Sequence, residues 1–153
     1  MRYLTLLLLS FALLTGACNK DAESQAEEDQ ILIENYLMEN NITAQMTPEG
    51  LHYVITEAGN SEAMPTINST VEVKYIGRFL DNSVFDQTAG SMTFTSPLSG
   101  LIPGWQIGIP LMQRGGKATL YIPSGLGYGR NSPPGIPANS VLIFEIELID
   151  FSG

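Results

Sequence analysis

Two hydrophobic periods divide the chain. Before Asn40 the apolar positions approximate helical spacing, and beyond Gly50 they drift towards an alternation of two. Ile31, Leu32, Tyr36 and Leu37 mark one helix face, with Ser24 ahead of Glu27 and Glu28 as its start and Asn40-Asn41 as its stop. Residues 31–49 therefore read as an N-terminal helix and linker whose apolar stripe packs on its own domain, the alternative being a dimer contact. Past Thr47-Pro48-Glu49-Gly50, strands are expected at 51–55, 71–80, 91–95, 117–122 and 141–150. Asp81-Asn82 makes a turn, because Asn82 tolerates a left-handed backbone. Between the third and fourth strands, Ile102-Pro103-Gly104-Trp105-Gln106-Ile107-Gly108 admits only a short helix: Pro103 suits a first turn and the glycines discourage length. The expected fold is α+β, a twisted antiparallel sheet crossed by one short helix over residues 50–153, with no internal repeat.

The beginning of the chain follows a different logic. Arg2 is followed by an apolar run from Leu4 to Leu14, broken only by Thr5 and Ser10. That run is too short to cross roughly 30 Å of hydrocarbon, so residues 1–17 read as a signal peptide. The only cysteine, Cys18, comes directly after Thr15-Gly16-Ala17, which leaves no disulfide within the chain. Leu13-Leu14-Thr15-Gly16-Ala17-Cys18 resembles a bacterial lipobox, with Thr15 where leucine is usual. The resemblance implies a lipidated Cys18 and a protein anchored to a bilayer of the bacterial cell envelope, facing the periplasm or the cell surface. Acyl chains contribute roughly 0.8 kcal/mol per buried methylene, so several chains hold firmly. Residues 18–30 are polar and acidic, and read as a tether leaving the membrane.

Composition and charge narrow the function. With 153 residues, 44% apolar and 15% charged, the chain is globular and the length of about one domain. Removing residues 1–17 takes away Arg2 and no acidic residue, so the formal charge moves from −9 to −10. Six basic residues then face sixteen acidic ones, which argues against nucleic acid as a partner. The single histidine, His52, sits in a strand pattern and reads as a half-exposed strand residue, so no nucleophile and base pair suggests itself. No His/Cys cluster or ligand-spaced carboxylate set suggests a metal, and Gly127-Tyr128-Gly129 lacks the lysine and helix of a phosphate loop. The stretch 123–137 is a long Gly/Pro-rich loop carrying Tyr128 and Ile136, and such loops are usually functional. What remains is an apolar, aromatic pocket with few polar groups. Rotation about an Xaa-Pro amide suits it: the barrier of roughly 18–20 kcal/mol comes from carbon–nitrogen double-bond character, and lowering it needs neither nucleophile nor cofactor.

Five motifs carry a family resemblance. Val73-Lys74-Tyr75-Ile76-Gly77, Val84-Phe85-Asp86, Leu101-Ile102-Pro103-Gly104-Trp105, Tyr128-Gly129, and Pro137-Ala138-Asn139 followed by Leu142-Ile143-Phe144-Glu145-Ile146-Glu147-Leu148 resemble the FKBP-type peptidyl-prolyl isomerases in order and spacing. The resemblance covers about residues 50 to 150. It implies a half-wrapped antiparallel sheet with the short helix against its concave face, and isomerase activity towards proline-containing unfolded or exported polypeptides. It also implies macrolide inhibitors as ligands and no cofactor. By position, Tyr75, Asp86, Tyr128 and Phe144 would be catalytic, and Phe85, Met92, Leu101, Ile102, Trp105 and Ile136 would bind substrate. Trp105 would be the floor under the proline ring; the Ile102 N–H and the Tyr128 hydroxyl would bond substrate carbonyls, and Asp86 would face the reacting amide. Met92 stands where eukaryotic relatives often have an aromatic, and Asn82 where the turn usually has Gly. A proline-peptide-binding module or holdase with little turnover is the alternative use of the same groove.

Overall fold

Alternation in the last strand decides the architecture. In β7 (Leu142–Ser152), Leu142, Phe144, Ile146 and Leu148 are all buried on one side, while Ile143, Glu145 and Glu147 point to the other. A period-two strand with one fully apolar side must be covered on that side, and β7 lies at the centre of the sheet. The computed structural model describes the backbone from Gly16 and side chains from Ala22. Within that range β1 (Gln45–Met46), β2 (His52–Glu57), β3 (Thr70–Arg78), β4 (Val84–Gln87), β5 (Phe94–Pro97), β6 (Lys117–Ile122) and β7 form one sheet, ordered β1-β2-β6-β7-β3-β4. β5 pairs with the first half of β3, along Thr70 to Val73, and β4 with its second half, along Ile76 to Arg78. Every pairing is antiparallel.

Each side of the sheet has its own helix. α2 (Pro103–Gly108) lies against the concave side, where Trp105 and Ile109 join Val71, Val73, Leu120, Ile122, Phe144 and Ile146 in the main core. Its glycines set the distance: a Cβ on Gly104 would come within 2.7 Å of Ile122 Cγ2, and one on Gly108 within 2.6 Å of Leu120 Cδ1. α1 (Gly16–Glu39) covers one end of the opposite side, placing Ile33 and Leu37 on Tyr121, Val141 and Ile143. Burying two such side chains contributes about 1.5–3 kcal/mol each, which holds a helix that would be marginal in isolation.

The strands and short helix expected from the hydrophobic pattern are present, with 117–122 matching to the residue. The Asn40-Asn41 stop also holds, Asn41 taking a left-handed φ of 54° after Glu39. Other findings differ from the sequence reading: α1 begins at Gly16 and not at Ser24, and β1 and β4 lie where no strand was expected. The acidic tether expected over 18–30 is helical, part of α1, and Asp29 within it is fully buried. Polarity there hides packing, because Asp29 finds its partners on a loop almost a hundred residues away. His52, expected to be half-exposed, is buried at 7% exposure on the α1 side of β2, with Nδ1 lacking an acceptor or donor among the described residues. The leader expected over 1–17 lies outside the described residues apart from the backbone at Gly16 and Ala17, and so does the Cys18 side chain.

Burial holds the His52 imidazole below its usual 6.5, an effect that the nearby Glu34 charge only partly opposes. A depressed folded-state value means that the unfolded chain takes up this proton first as pH falls. His52 thus contributes stability that is present above pH 6.5 and lost as pH drops below it towards the folded value. Urea denaturation of the wild type and of His52→Leu at pH 7.5 and pH 5 checks this, with pH values chosen to span about one unit or more on either side of the ordinary titration. The wild type loses more stability on acidification than the variant; an equal loss in both excludes the effect.

Candidate functional site

The inward positions of β3 run Val71, Val73, Tyr75 and Gly77, so an aromatic ring is followed, one step along, by no side chain at all. That gap is filled from both neighbours. Register sets Gly77 opposite Phe144 of β7 and Asp86 of β4. A Cβ on Gly77 would stand 2.6 Å from Phe85 Cζ and 3.0 Å from Phe144 Cε1, so both rings close over the bare backbone. They meet edge to face, centroids 5.5 Å apart at 89°, and Phe79 stacks behind Phe85 at 4.9 Å.

Trp105 of α2 lies at the base of this group, 4% exposed. Its ring is 5.2 Å from both Tyr75 and Phe144, at 79° and 89° respectively. Edge-to-face pairs add roughly 0.5–1.5 kcal/mol each beyond their buried area, so the cluster is rigid as well as apolar. The indole Nε1–H has no acceptor among the described residues. A buried unsatisfied donor is uncommon in a packed core and more usual at a functional site. Leu101, Ile102 and Ile136 pack against the main core to which Trp105 and Phe144 belong. Gln106 Nε2 donates to the Leu101 carbonyl at 2.6 Å and the Ser99 carbonyl at 3.2 Å, which ties the segment ahead of α2 to the helix itself. Ile102 keeps an extended backbone at the helix start, φ −61° and ψ 148°.

Polar groups gather at one edge. The Tyr75 hydroxyl donates to Asp86 Oδ2 at 2.6 Å, and the Gln87 N–H donates to Asp86 Oδ1 at 2.9 Å. Burial, and then the Asp86 hydrogen bond and charge, push the Tyr75 phenol well above its usual range. Burial also raises Tyr128, with the Asp86 charge as the second cause, so Tyr75, Asp86 and Tyr128 share one electrostatic neighbourhood. Both phenols therefore stay protonated as donors across physiological pH. Tyr128 rides on the loop after β6, where Gly127 and Gly129 both donate backbone N–H bonds to the Ser124 carbonyl, at 3.0 and 2.9 Å, and Gly129 adopts φ 57°.

The structure thus joins Tyr75, Phe85, Trp105 and Phe144 by ring contacts and Tyr75 to Asp86 by a hydrogen bond, with Tyr128 within electrostatic reach of Asp86 and Tyr75, while Leu101, Ile102 and Ile136 pack against the main core that includes Trp105 and Phe144. Met92 is 66% exposed and outside the aromatic cluster. The ring beside it in sequence, Phe94 on β5, is the one that touches Tyr75 at 5.9 Å and Trp105 at 6.4 Å. Phe94 opens β5, whose strand begins later than the expected 91 and leaves Met92 outside it. Cavities lie elsewhere as well. One of about 390 Å³ runs over the outer side of the sheet by Lys74, Glu145 and Glu147, and one of about 480 Å³ lies between α1 and the Tyr128 loop. Neither holds converging aromatic rings with a carboxylate and hydroxyl at the edge. No three His, Cys, Asp or Glu side chains gather as a metal would need among the described residues.

The short helix α2 packs against an antiparallel sheet, with clustered aromatic rings and a tyrosine–aspartate pair at their edge. Residues 61–149 match the family described as FKBP-type peptidyl-prolyl cis-trans isomerase, and the chain belongs to that family. It is 40% identical over 135 residues to the FKBP-type peptidyl-prolyl cis-trans isomerase FkpA of Escherichia coli, covering 86% of this chain and 48% of that protein. The probable FkpA of Neisseria meningitidis is 37% identical over 134 residues, covering 84% of this chain and 47% of the relative. The chain spans about half the length of these curated relatives. The crystal structure of E. coli FkpA superposes with a TM-score of 0.74 at 35% identity, over 89% of this chain and 63% of that one. A Pseudomonas syringae peptidyl-prolyl cis-trans isomerase structure gives 0.74 at 28% identity, over 86% of this chain and 96% of its own.

Gly77→Ala tests the cradle directly. A methyl group between Phe85 and Phe144 forces both rings aside, so stability falls by about 1–3 kcal/mol in urea denaturation. Trp105 fluorescence changes with it, because Phe144 leans on the indole. Unchanged emission and stability would show that the closure over Gly77 is unimportant.

Proposed function

We propose that the chain is a peptidyl-prolyl cis-trans isomerase that assists exported polypeptides at a bacterial membrane. The observation that carries the reading is the Tyr75–Asp86 bond at the edge of a cradle floored by Trp105, supported by membership of the family. A proline ring rests on Trp105 between Tyr75, Phe85 and Phe144, flanked by Leu101, Ile102 and Ile136. Water stabilises the planar, charge-separated amide by bonding its carbonyl; moving that carbonyl among aromatic rings removes stabilisation which the twisted amide needs less. Tyr128 donates to a substrate carbonyl and the Ile102 N–H to another, while Asp86 orients Tyr75 and faces the rotating bond. No proton moves and no covalent bond forms.

A protease-coupled or proline-limited refolding assay on the chain carrying Cys18→Ser decides the activity, and no acceleration would sink it. Tyr75→Phe deletes the bond to Asp86 and lowers kcat/KM by about tenfold, the equivalent of one charge-assisted hydrogen bond. Exposed apolar side chains near the site, Val84 at 45% and Met92 at 66%, favour a second reading as a holdase with little turnover. Loss of catalysis in Tyr75→Phe and Phe144→Ala with aggregation suppression intact supports turnover as the primary role.

The anchor is proposed from Cys18 and the segment before it. With Cys18 acylated, about eleven helical residues at 1.5 Å each place Asp29 roughly 16 Å from the lipid attachment, so α1 acts as a stalk. Among the described residues no helix is long and apolar enough to cross a membrane. Cys18→Ser expressed with the full leader releases the protein into the soluble fraction after cell lysis; a variant that stays with membranes contradicts lipidation.

A further inference from the structure

Among the described residues Asp29 is the one buried carboxylate, with no exposed surface, and it sits on α1, far from the aromatic cradle in sequence. A buried carboxylate is costly unless every oxygen is satisfied. Its Oδ2 accepts from the Ser124 backbone N–H at 2.7 Å and the Ser124 hydroxyl at 2.6 Å, and its Oδ1 accepts from Gln25 Nε2 at 2.9 Å. Gln25 Oε1 in turn accepts from Asn139 Nδ2 at 2.8 Å. Two side chains one helical turn apart on α1 therefore grip two points of the loop system after β6.

Those two points bracket Tyr128. The Ser124 carbonyl accepts the N–H groups of Gly127 and Gly129, and the Asn139 N–H donates to the Gly129 carbonyl at 2.8 Å. A groove of about 480 Å³, lined by Ala22 and Ala26 on α1, opens between the helix and residues 123–130. Hydrogen bonds from Asp29 and Gln25 span it. If α1 served only to cover the sheet, an apolar residue at 29 would extend the stripe of Ile33 and Leu37 without reaching across.

We propose that Asp29 is a positioning residue for Tyr128, acting through Ser124, so that α1 belongs to the substrate-binding unit. The proposal rests on the isomerase reading for the assignment of Tyr128 to a substrate carbonyl. A purely structural role predicts something different: Asp29 would then matter only through stability, as Ile33 does.

The test uses the chain with Cys18→Ser and the variants Asp29→Ala, Asp29→Asn, Ser124→Ala and Ile33→Ala, with Asp29→Ala also placed on Tyr128→Phe. Asp29→Ala raises KM about tenfold and leaves kcat within about twofold, since a lost charge-assisted hydrogen bond that positions a binding group weakens ground and transition states alike. Asp29→Asn, whose amide oxygen keeps both Ser124 bonds but whose NH2 faces the Gln25 Nε2 donor, recovers part of that loss. Ile33→Ala lowers stability yet leaves KM unchanged. On Tyr128→Phe, Asp29→Ala has no further effect on KM. Amide hydrogen exchange at Gly127 and Gly129 speeds up in Asp29→Ala while exchange in β7 does not. If Asp29→Ala does not fold, Ser124→Ala, which removes only the hydroxyl bond, raises KM about threefold. An unchanged KM, an equal effect from Ile33→Ala, or additivity with Tyr128→Phe overturns the proposal. A wild type without isomerase activity overturns the isomerase reading instead. The same comparisons are then read in the affinity for a proline peptide, followed by Trp105 fluorescence, with the same outcomes for and against.

Discussion

The closure of Phe85 and Phe144 over Gly77 is the constraint on which the cradle depends. Gly77 lies on the inward side of β3, where a side chain would otherwise fill the space. Removing it lets rings from β4 and β7 meet over one strand, and that meeting fixes the wall against which Trp105 and Tyr75 stand. Asp86 follows from the same register, because the residue paired with Gly77 on β4 is the one beside Phe85. The irregularity between Gly77 and Arg78 turns the strand just where the aromatic wall ends. One missing side chain thus sets both the apolar wall and the carboxylate at its edge.

A second constraint is the division of the sheet between two helices. β6 and β7 alternate so that Leu120, Ile122, Phe144 and Ile146 meet α2, while Tyr121 and Ile143 meet α1. Adjacent residues of the same strand therefore hold opposite helices, and a displacement of one is felt by the other through the shared backbone. Tyr36 extends this link, its hydroxyl donating to Asn82 Oδ1 at 2.9 Å in the turn that leads into β4. Asn82 takes φ 66°, the left-handed conformation that its side chain tolerates, and the turn uses it where glycine would lose the amide partner.

How much was legible in the sequence follows from which residues speak locally. β3 announces itself by alternation, and α2 by Pro103 ahead of glycines, so the middle of the sheet and the helix across it could be read directly. The aromatic set came from motif order, since a lone Phe144 or Tyr75 in a strand looks like ordinary core. Asp29 and His52 were not legible, because burial of a polar residue depends on a partner or neighbour distant in sequence. Ser124 for Asp29, and the α1 layer over His52, exist only once the chain is folded. Met92 and Phe94 show a boundary effect: β5 begins only at Phe94, so it is the Phe94 ring that reaches Trp105 while Met92 stays exposed.

The proposed catalysis uses no acid, base or cofactor, so geometry is its only resource. A site that works by removing water from one carbonyl and bonding another gains nothing from a strong nucleophile and loses much from a loose wall. That explains why the cradle is built from edge-to-face rings and why its hydroxyls are kept protonated by burial and a neighbouring carboxylate. It also explains where sequence economy ends. The floor and walls come from strands and α2, which the hydrophobic core fixes in any case, whereas the hydroxyl at the rim comes from a glycine-flanked loop that the core does not reach. A rim on such a loop needs support from outside the sheet, and the buried carboxylate of α1 is the group within reach that supplies it.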